Sequence, residues 1–327
     1  MKAVYLNQQG NAESLIFGDI AKPQPGAGEA LVRVHATAIT PAEFQWHPTF
    51  HAPSGGPRQF PIVLGHEFSG VVEALSPGVE HFQVGDSVFG LNDWFANGAQ
   101  AEYCVAPAAA LAHKPRLLDH VHAAAVPISA LTAWQGLLEK TKLEAGERIL
   151  IHGAAGGVGI FAVQLARWRG AHVIATASSG NLDFVRTIGA QEAVDYQTTR
   201  FEDVVHDVDV VFDSVGGETL GRSWNILVKN GRLVTVATQS ANAVEQRVRD
   251  AFMLVRPAAG QLKQIAELID DGELRVYLEG VFPLTTVHEA YARAQPGKMR
   301  GKIVLSVKQA MHGPPLPPTF FQRNSTE

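Results

Sequence analysis

Residues 148–169 read RILIHGAAGGVGIFAVQLARWR, and the fold is decided there. Ile149, Leu150 and Ile151 form a short aliphatic run of the kind found in buried strands, ending at His152. Ile160, Val163, Gln164 and Arg167 then begin a helical repeat whose apolar members would face a sheet. Between the two lie Gly153, Gly156, Gly157 and Gly159, interleaved with Ala155 and Val158. A strand that feeds a helix through such a turn leaves backbone N–H groups free at the helix N-terminus. Without Cβ atoms in the way, a pyrophosphate can approach them closely. A second strand over residues 172–177 completes a βαβ unit, so the pattern predicts a dinucleotide site rather than only a tight connection.

A chain of 327 residues exceeds the usual single-core size, and two domains are expected. The composition, 46% hydrophobic and 18% charged with a net charge of −5, offers nothing that would attract nucleic acid or an anionic membrane. Its one cysteine, Cys104, excludes an internal disulfide and a cysteine-built zinc lobe, and it suits a reducing compartment. The first residues, MKAVYLNQQG, turn polar too soon for a signal peptide, and no apolar run is long enough to span a bilayer. The expectation is a cytoplasmic protein.

Working outward, residues 2–110 are short strands separated by glycine and proline. Candidates are 3–6, 29–38, 69–75 and 86–90, with turns at Pro25-Gly26, Pro77-Gly78 and Gly85-Asp86. This texture predicts a compact β-barrel-like unit. Past residue 123 comes an alanine-rich helix over 129–140, then alternation. Strands are expected over 172–177, 193–195, 208–213 and 232–237, with helices over 181–188 and 218–228. Such alternation predicts a doubly wound parallel sheet. A sixth strand over 251–255, a helix over 261–270 and a return of 276–283 and 302–307 to the first unit complete the reading. The expected division is therefore 1–122 completed by 272–307, a dinucleotide-binding domain over 123–271, and a proline-rich tail, 308–327, with little to pack and so disordered or draped on the surface.

Four blocks now point to a family: LGHEFSGVVEALSPGVEHFQVGDSVFG (64–90), ISALTAWQGL (128–137), HGAAGGVGIFAVQLAR (152–167) and GKMRGKIVL (297–305). Together they resemble the medium-chain dehydrogenase/reductases, in the zinc-free quinone oxidoreductase branch that includes zeta-crystallin-like proteins. The resemblance implies an α/β protein with a GroES-like β-barrel domain and a Rossmann domain, the active site lying in the cleft between them. Zinc-containing members of that superfamily use His and Glu where this chain has His66-Glu67, together with two cysteines. Here those cysteine positions resemble Ile39-Thr40-Pro41 and Ile128-Ser129. A catalytic zinc needs three converging protein ligands, so no metal is expected, His66 and Glu67 read as a buried hydrogen-bonded pair, and alcohol dehydrogenation loses its Lewis acid.

In NAD sites an acid at the end of the second strand binds the ribose 2′-hydroxyl. This chain has Ser178 and Ser179 there and no acid before Asp183, which predicts NADPH. The resemblance adds Tyr196 beside the same phosphate. It also places Thr132 beside the nicotinamide, Thr40 near its ring, and Ser214 and Ala237 along the cofactor cleft. The lysine often seen in the second-strand loop is missing, with Leu182 about there and Arg186 a possible substitute.

Bound NADPH and no metal leave hydride delivery to an already activated acceptor, a quinone or an α,β-unsaturated carbonyl. Positioning and water exclusion carry most of that chemistry, so no catalytic acid is required. The tyrosine that many quinone reductases carry after the ring-contacting position is replaced by Gln45 and Trp46, followed by His47 and His51. Trp46 is expected to stack on a flat substrate and His47 to donate a proton. The alternative is a solvated surface loop over 48–61. A different class of function, an NADPH-binding sensor or structural protein with incidental turnover, is left open by the replaced tyrosine. The resemblance and the apolar sixth strand together suggest a homodimer paired at that sheet edge.

Overall fold

The structure, a computed structural model, describes residues 1–294 and 299–307. The expected tail, 308–327, and Gly297-Lys298 of the last motif lie outside the described residues. The described chain is organised as a barrel-like part, built on a three-stranded and a seven-stranded sheet, and a five-stranded parallel sheet. In the first half, β1 (Lys2–Leu6), β2 (Ile16–Asp19), β3 (Glu29–Ala38), β4 (Ile62–Val63), β5 (Glu67–Leu75), β6 (Ser87–Leu91), β7 (Tyr103–Pro107) and β8 (Leu111–His113) build the barrel-like part. The second half supplies β9 (Arg148–His152), β10 (His172–Ala177), β11 (Glu192–Asp195), β12 (Val208–Asp213) and β13 (Leu227–Thr235). They form one parallel sheet in the order β11-β10-β9-β12-β13. The chain then returns: β14 (Leu278–Pro283) pairs with β15 (Lys302–Ser306), and β15 pairs antiparallel with β3.

The parallel strands are buried on both faces, which is why they read as unbroken apolar runs. Ile149 and Ile151 pack in one core with Phe161 and Leu165 of the helix Gly157–Trp168, while Leu150 belongs to the core on the opposite face with Leu220 and Ile226. Alternation along a single strand thus serves two cores.

Two expected elements differ. Residues 251–255 are not a strand. Ala251 ends the helix Gln246–Ala251, and Phe252 makes one bridge to Thr235. Met253 N–H still donates to the Thr235 carbonyl (3.0 Å), but beyond it side chains take over: Trp94 Nε1 donates to the Val255 carbonyl (3.1 Å) and Arg256 N–H donates to Gln135 Oε1 (3.0 Å). The helix expected over 218–228 is shorter, Gly217–Ser223, because β13 begins at Leu227 and accommodates Asn230 (φ 67°) and Gly231 in an irregularity between its pairings with Val208 and Val210.

Candidate active site

Gly153 closes β9 with φ 69°, and a Cβ there would lie 2.4 Å from Ser214 Oγ. Gly156 caps the helix Gly157–Trp168. Its first N–H groups stand outside the intrahelical ladder and face the place a pyrophosphate would occupy. Gly159 admits no side chain either, because a Cβ would meet the Gly153 carbonyl oxygen at 2.2 Å. The turn is therefore a cradle that side chains would fill, and it fits a dinucleotide.

The return of the chain fastens onto this cradle. Gly301 N–H donates to the Ala155 carbonyl (3.1 Å), and Gly301 bridges Gly156. Gly301 has φ 85°, and a Cβ would sit 2.1 Å from the Tyr277 carbonyl oxygen, so only glycine lets the two segments meet. Lys302 then lies across Gly157 and sends its ammonium inward to the Ile39 carbonyl and to Thr40 Oγ1 (both 3.0 Å), with Glu67 Oε1 at 2.6 Å. The other Glu67 oxygen accepts the Ile128 N–H (2.9 Å). Burial pushes the Glu67 carboxyl upward, and the ammonium opposes that shift. The cleft between the two halves, about 160 Å³, is lined by Thr40, Ile128, Ser129, Val158, Met299 and Lys302 among others.

Glu43, on the turn Pro41–Gln45, accepts the Gly65 N–H (3.1 Å) and faces His66 Nδ1 at 2.5 Å. His66 Nε2 meets the Ala96 carbonyl at 3.2 Å. Trp94 packs edge-on to Trp46, with ring centroids 4.8 Å apart, and lies 5.4 Å from the His66 ring.

The structure brings Thr40, Gly157 and Val158 together at this cleft, while Ala155 and Thr132 are buried. Thr132 Oγ1 donates to the Ile128 carbonyl (2.6 Å), which leaves it free only to accept. Ser214 Oγ donates to the His152 carbonyl (2.9 Å), so it braces the turn. Ala237 is buried just after β13. At the end of β10, Ser178 Oγ accepts from Asn181 Nδ2 (3.2 Å), and Ser179 Oγ donates to Asp195 Oδ2. Tyr196 is half-exposed next to them, its N–H on the Ala177 carbonyl (3.2 Å).

His47 is not at the cleft. It is exposed and stacks on His51 with ring centroids 4.2 Å apart, so the expected proton-donating role has no geometric basis. The loop behind it is held in place. Arg58 donates to the Pro48 and Ala96 carbonyls and to Asn97 Oδ1. Sequence reasoning missed Glu43, Trp94 and the inward role of Lys302. Lys302 lay in a block already singled out, but nothing local tells which buried carboxylate it meets.

Residues 26–116 match the family model for the alcohol dehydrogenase GroES-like domain, and 188–305 match that for zinc-binding dehydrogenase. A probable zinc-binding oxidoreductase, mitochondrial, of Arthroderma benhamiae is 32% identical over 325 residues, covering 92% of this chain and 96% of the relative. The chain belongs to the medium-chain dehydrogenase/reductases, in their quinone oxidoreductase branch. A mitochondrial NAD(P)H oxidoreductase of Mus musculus is also 32% identical, over 85% of this dehydrogenase/reductase and 82% of its own length. The solved quinone oxidoreductase of Coxiella burnetii superposes with a TM-score of 0.86 at 29% identity, covering 94% of this chain and 99% of that one. As a member of this branch, the protein is an oxidoreductase that works with a nicotinamide cofactor. The mitochondrial names of both relatives overturn the expectation of a cytoplasmic protein. Among the described residues no helix is long and apolar enough to cross a membrane.

Although one matching family is that of zinc-binding dehydrogenases, the donors here are not arranged for zinc. Both His66 nitrogens face oxygen acceptors, leaving no lone pair directed at the cleft. Ile39, Thr40 and Ile128 supply no thiolate, and among the described residues no group of three or more His, Cys, Asp or Glu could hold a metal. These residues do not fit a catalytic zinc.

Proposed function

We propose that this medium-chain dehydrogenase/reductase is an NADPH-dependent reductase of quinones or α,β-unsaturated carbonyls that works without a metal. The observation that carries the reading is the cleft itself. A glycine cradle adjoins Thr40 and Lys302, where a Lewis acid would otherwise be needed. Gly153, Ala155, Gly156, Gly157 and Val158 would hold the pyrophosphate. Ser178, Ser179 and Tyr196 would face the adenosine ribose, and Thr132, Ser214 and Ala237 would line the path to the nicotinamide. The bound nicotinamide supplies hydride.

The protein's own part is positional. Thr40 Oγ1 accepts a hydrogen bond from the Lys302 ammonium, so its own O–H is free to donate to the acceptor's carbonyl oxygen, where negative charge develops. Trp46, packed edge-on against Trp94, would offer a face to a flat acceptor. Holding donor and acceptor together while excluding water supplies several kcal/mol of barrier lowering, and solvent protonates the product. The working division is 1–122 with 272–307 as the catalytic domain and 123–271 as the cofactor domain. A homodimer now rests on the family resemblance alone, since residues 251–255 form no sheet edge to pair, and sedimentation as a monomer at micromolar concentration would refute it.

The test is the loss of nicotinamide absorbance with a simple quinone and with a simple conjugated enone, each repeated with NADH. Consumption of NADPH well above NADH with either acceptor supports the reading, and the better acceptor names the reaction. Binding without turnover on any acceptor would favour the sensor alternative instead.

A further inference from the structure

The NADPH reading lacks a cation. The end of the second strand is where a dinucleotide presents its adenosine ribose, and a 2′-phosphate there calls for a positive partner. Arg186, the nearest candidate in sequence, is paired with Asp183 (3.1 Å). Moreover, Asp195 brings a carboxylate to the same place. Its bond from Ser179 Oγ, with others behind it, holds that carboxyl below the usual range and therefore ionised. With these residues alone, the site would repel a phosphate.

The charge comes from the segment that leads into β15. Arg300 Nε and Nη2 donate to Asn181 Oδ1 (3.0 and 2.8 Å), and Nη2 also donates to the Gly180 carbonyl (3.1 Å). Its guanidinium lies over the Phe184 ring, 4.5 Å from the centroid. These partners are neutral, and no carboxylate lies within ion-pair distance of the guanidinium among the described residues, so its charge is fixed in place without being cancelled. Glu279 takes the Arg300 backbone N–H (2.8 Å) and is itself paired with Arg293. The spacing is set by the residues that follow. Gly301 is locked to Ala155 at the glycine turn, and Lys302 reaches Thr40. Three consecutive residues thus touch the ribose end, the pyrophosphate cradle and the ring end of one extended path.

We propose that Arg300 is the residue that selects the cofactor's 2′-phosphate, supplied to the Rossmann sheet by the returning catalytic segment. The proposal rests on the NADPH reading and deepens it. The geometry explains how a site without the usual loop lysine, and with Asp195 nearby, takes the phosphorylated dinucleotide. A guanidinium already oriented by Asn181 and Phe184 offers its remaining N–H groups to phosphate oxygens with little rotamer freedom left to lose.

The experiment is equilibrium titration of the full chain, without acceptor, by calorimetry and nicotinamide fluorescence. Its probes are NADPH, NADH, 2′,5′-ADP and 5′-AMP. Arg300→Gln is expected to weaken NADPH and 2′,5′-ADP by roughly 10- to 100-fold while NADH and 5′-AMP change by less than about twofold. Arg300→Lys should recover part of the loss, and Asp195→Asn should tighten 2′,5′-ADP in wild-type background. Equal weakening of phosphorylated and unphosphorylated probes would overturn the proposal, because Arg300 would then only tie two loops together. Unchanged binding would overturn it too. If the wild-type chain fails to distinguish 2′,5′-ADP from 5′-AMP, the NADPH reading itself falls, whatever Arg300 does.

Discussion

Lys302 and Glu67 form an ion pair in a place where neither group can be left alone. Glu67 is completely buried and Lys302 is 9% exposed. Replacing Lys302 by Met removes the only cation within ion-pair distance of that carboxylate among the described residues. Breaking such a pair from one side costs about 3–5 kcal/mol, whereas replacing both partners with apolar groups is far milder. Urea unfolding of Lys302→Met should show a loss of that order, and Glu67→Leu/Lys302→Met should recover much of it. A single variant as stable as wild type would mean that both groups are uncharged in the folded protein. The glycines of the cradle divide in a similar way. At Gly159 a Cβ meets rigid backbone at 2.2 Å, while at Gly157 it meets the flexible Lys302 Cδ at 2.8 Å. Gly159→Ala should therefore lower stability by about 1–3 kcal/mol. Gly157→Ala should fold nearly normally but bind dinucleotide more weakly, because the new methyl stands where the phosphate approaches.

At the scale of elements, the end of β9 also carries a buried titrating group. His152 Nε2 donates to Ser223 Oγ, which donates its own O–H to the Thr219 carbonyl, so Nδ1 accepts from Thr176 Oγ1. The neutral ring is thus fully satisfied between two strands and a helix. Burial, the largest cause, pushes its pKa down to about 4. An unfolded chain would take up that proton near pH 6.5. Between the two values the unfolded state binds more protons than the folded one, so stability is present above pH 6.5 and is lost on the way down to 4, by up to about 3 kcal/mol. His120, also held near 4 chiefly by burial, adds in the same direction. Urea midpoints measured across that window should fall with pH, and His152→Asn should flatten the slope. The strand-turn-helix around His152 was readable because its signals are local: an apolar run, four glycines and a helical repeat. β3 was predicted over its observed span, Glu29–Ala38, for the same reason. Residues 251–255 misled because a short apolar run looks the same whether a sheet edge or side chains such as Trp94 satisfy its backbone. Glu43 and Lys302 were beyond local pattern altogether. Each gains its role from a partner 23 or more residues away, His66 in one case and Glu67, Ile39 and Thr40 in the other.

For the molecule as a whole, the consequence is that the cofactor path belongs to neither half alone. The cradle comes from β9 and its helix, but Gly301 closes it from one side and Trp94 reaches across to the Val255 carbonyl from the other. A ligand that spans such a path binds the native arrangement of both halves and has no counterpart in the unfolded chain. NADPH at about 100 times its dissociation constant should therefore add roughly 2.7 kcal/mol and raise the melting temperature by roughly 4–8 °C. Differential scanning calorimetry also distinguishes which halves respond. One transition that moves as a unit means that the dinucleotide couples the two halves through the 300–302 segment. Two transitions of which only one moves would mean that the cofactor is held by the parallel sheet alone. In that case Thr40 and Lys302 would meet the nicotinamide only after a separate closing step, and the quinone or enone would be the ligand that drives it.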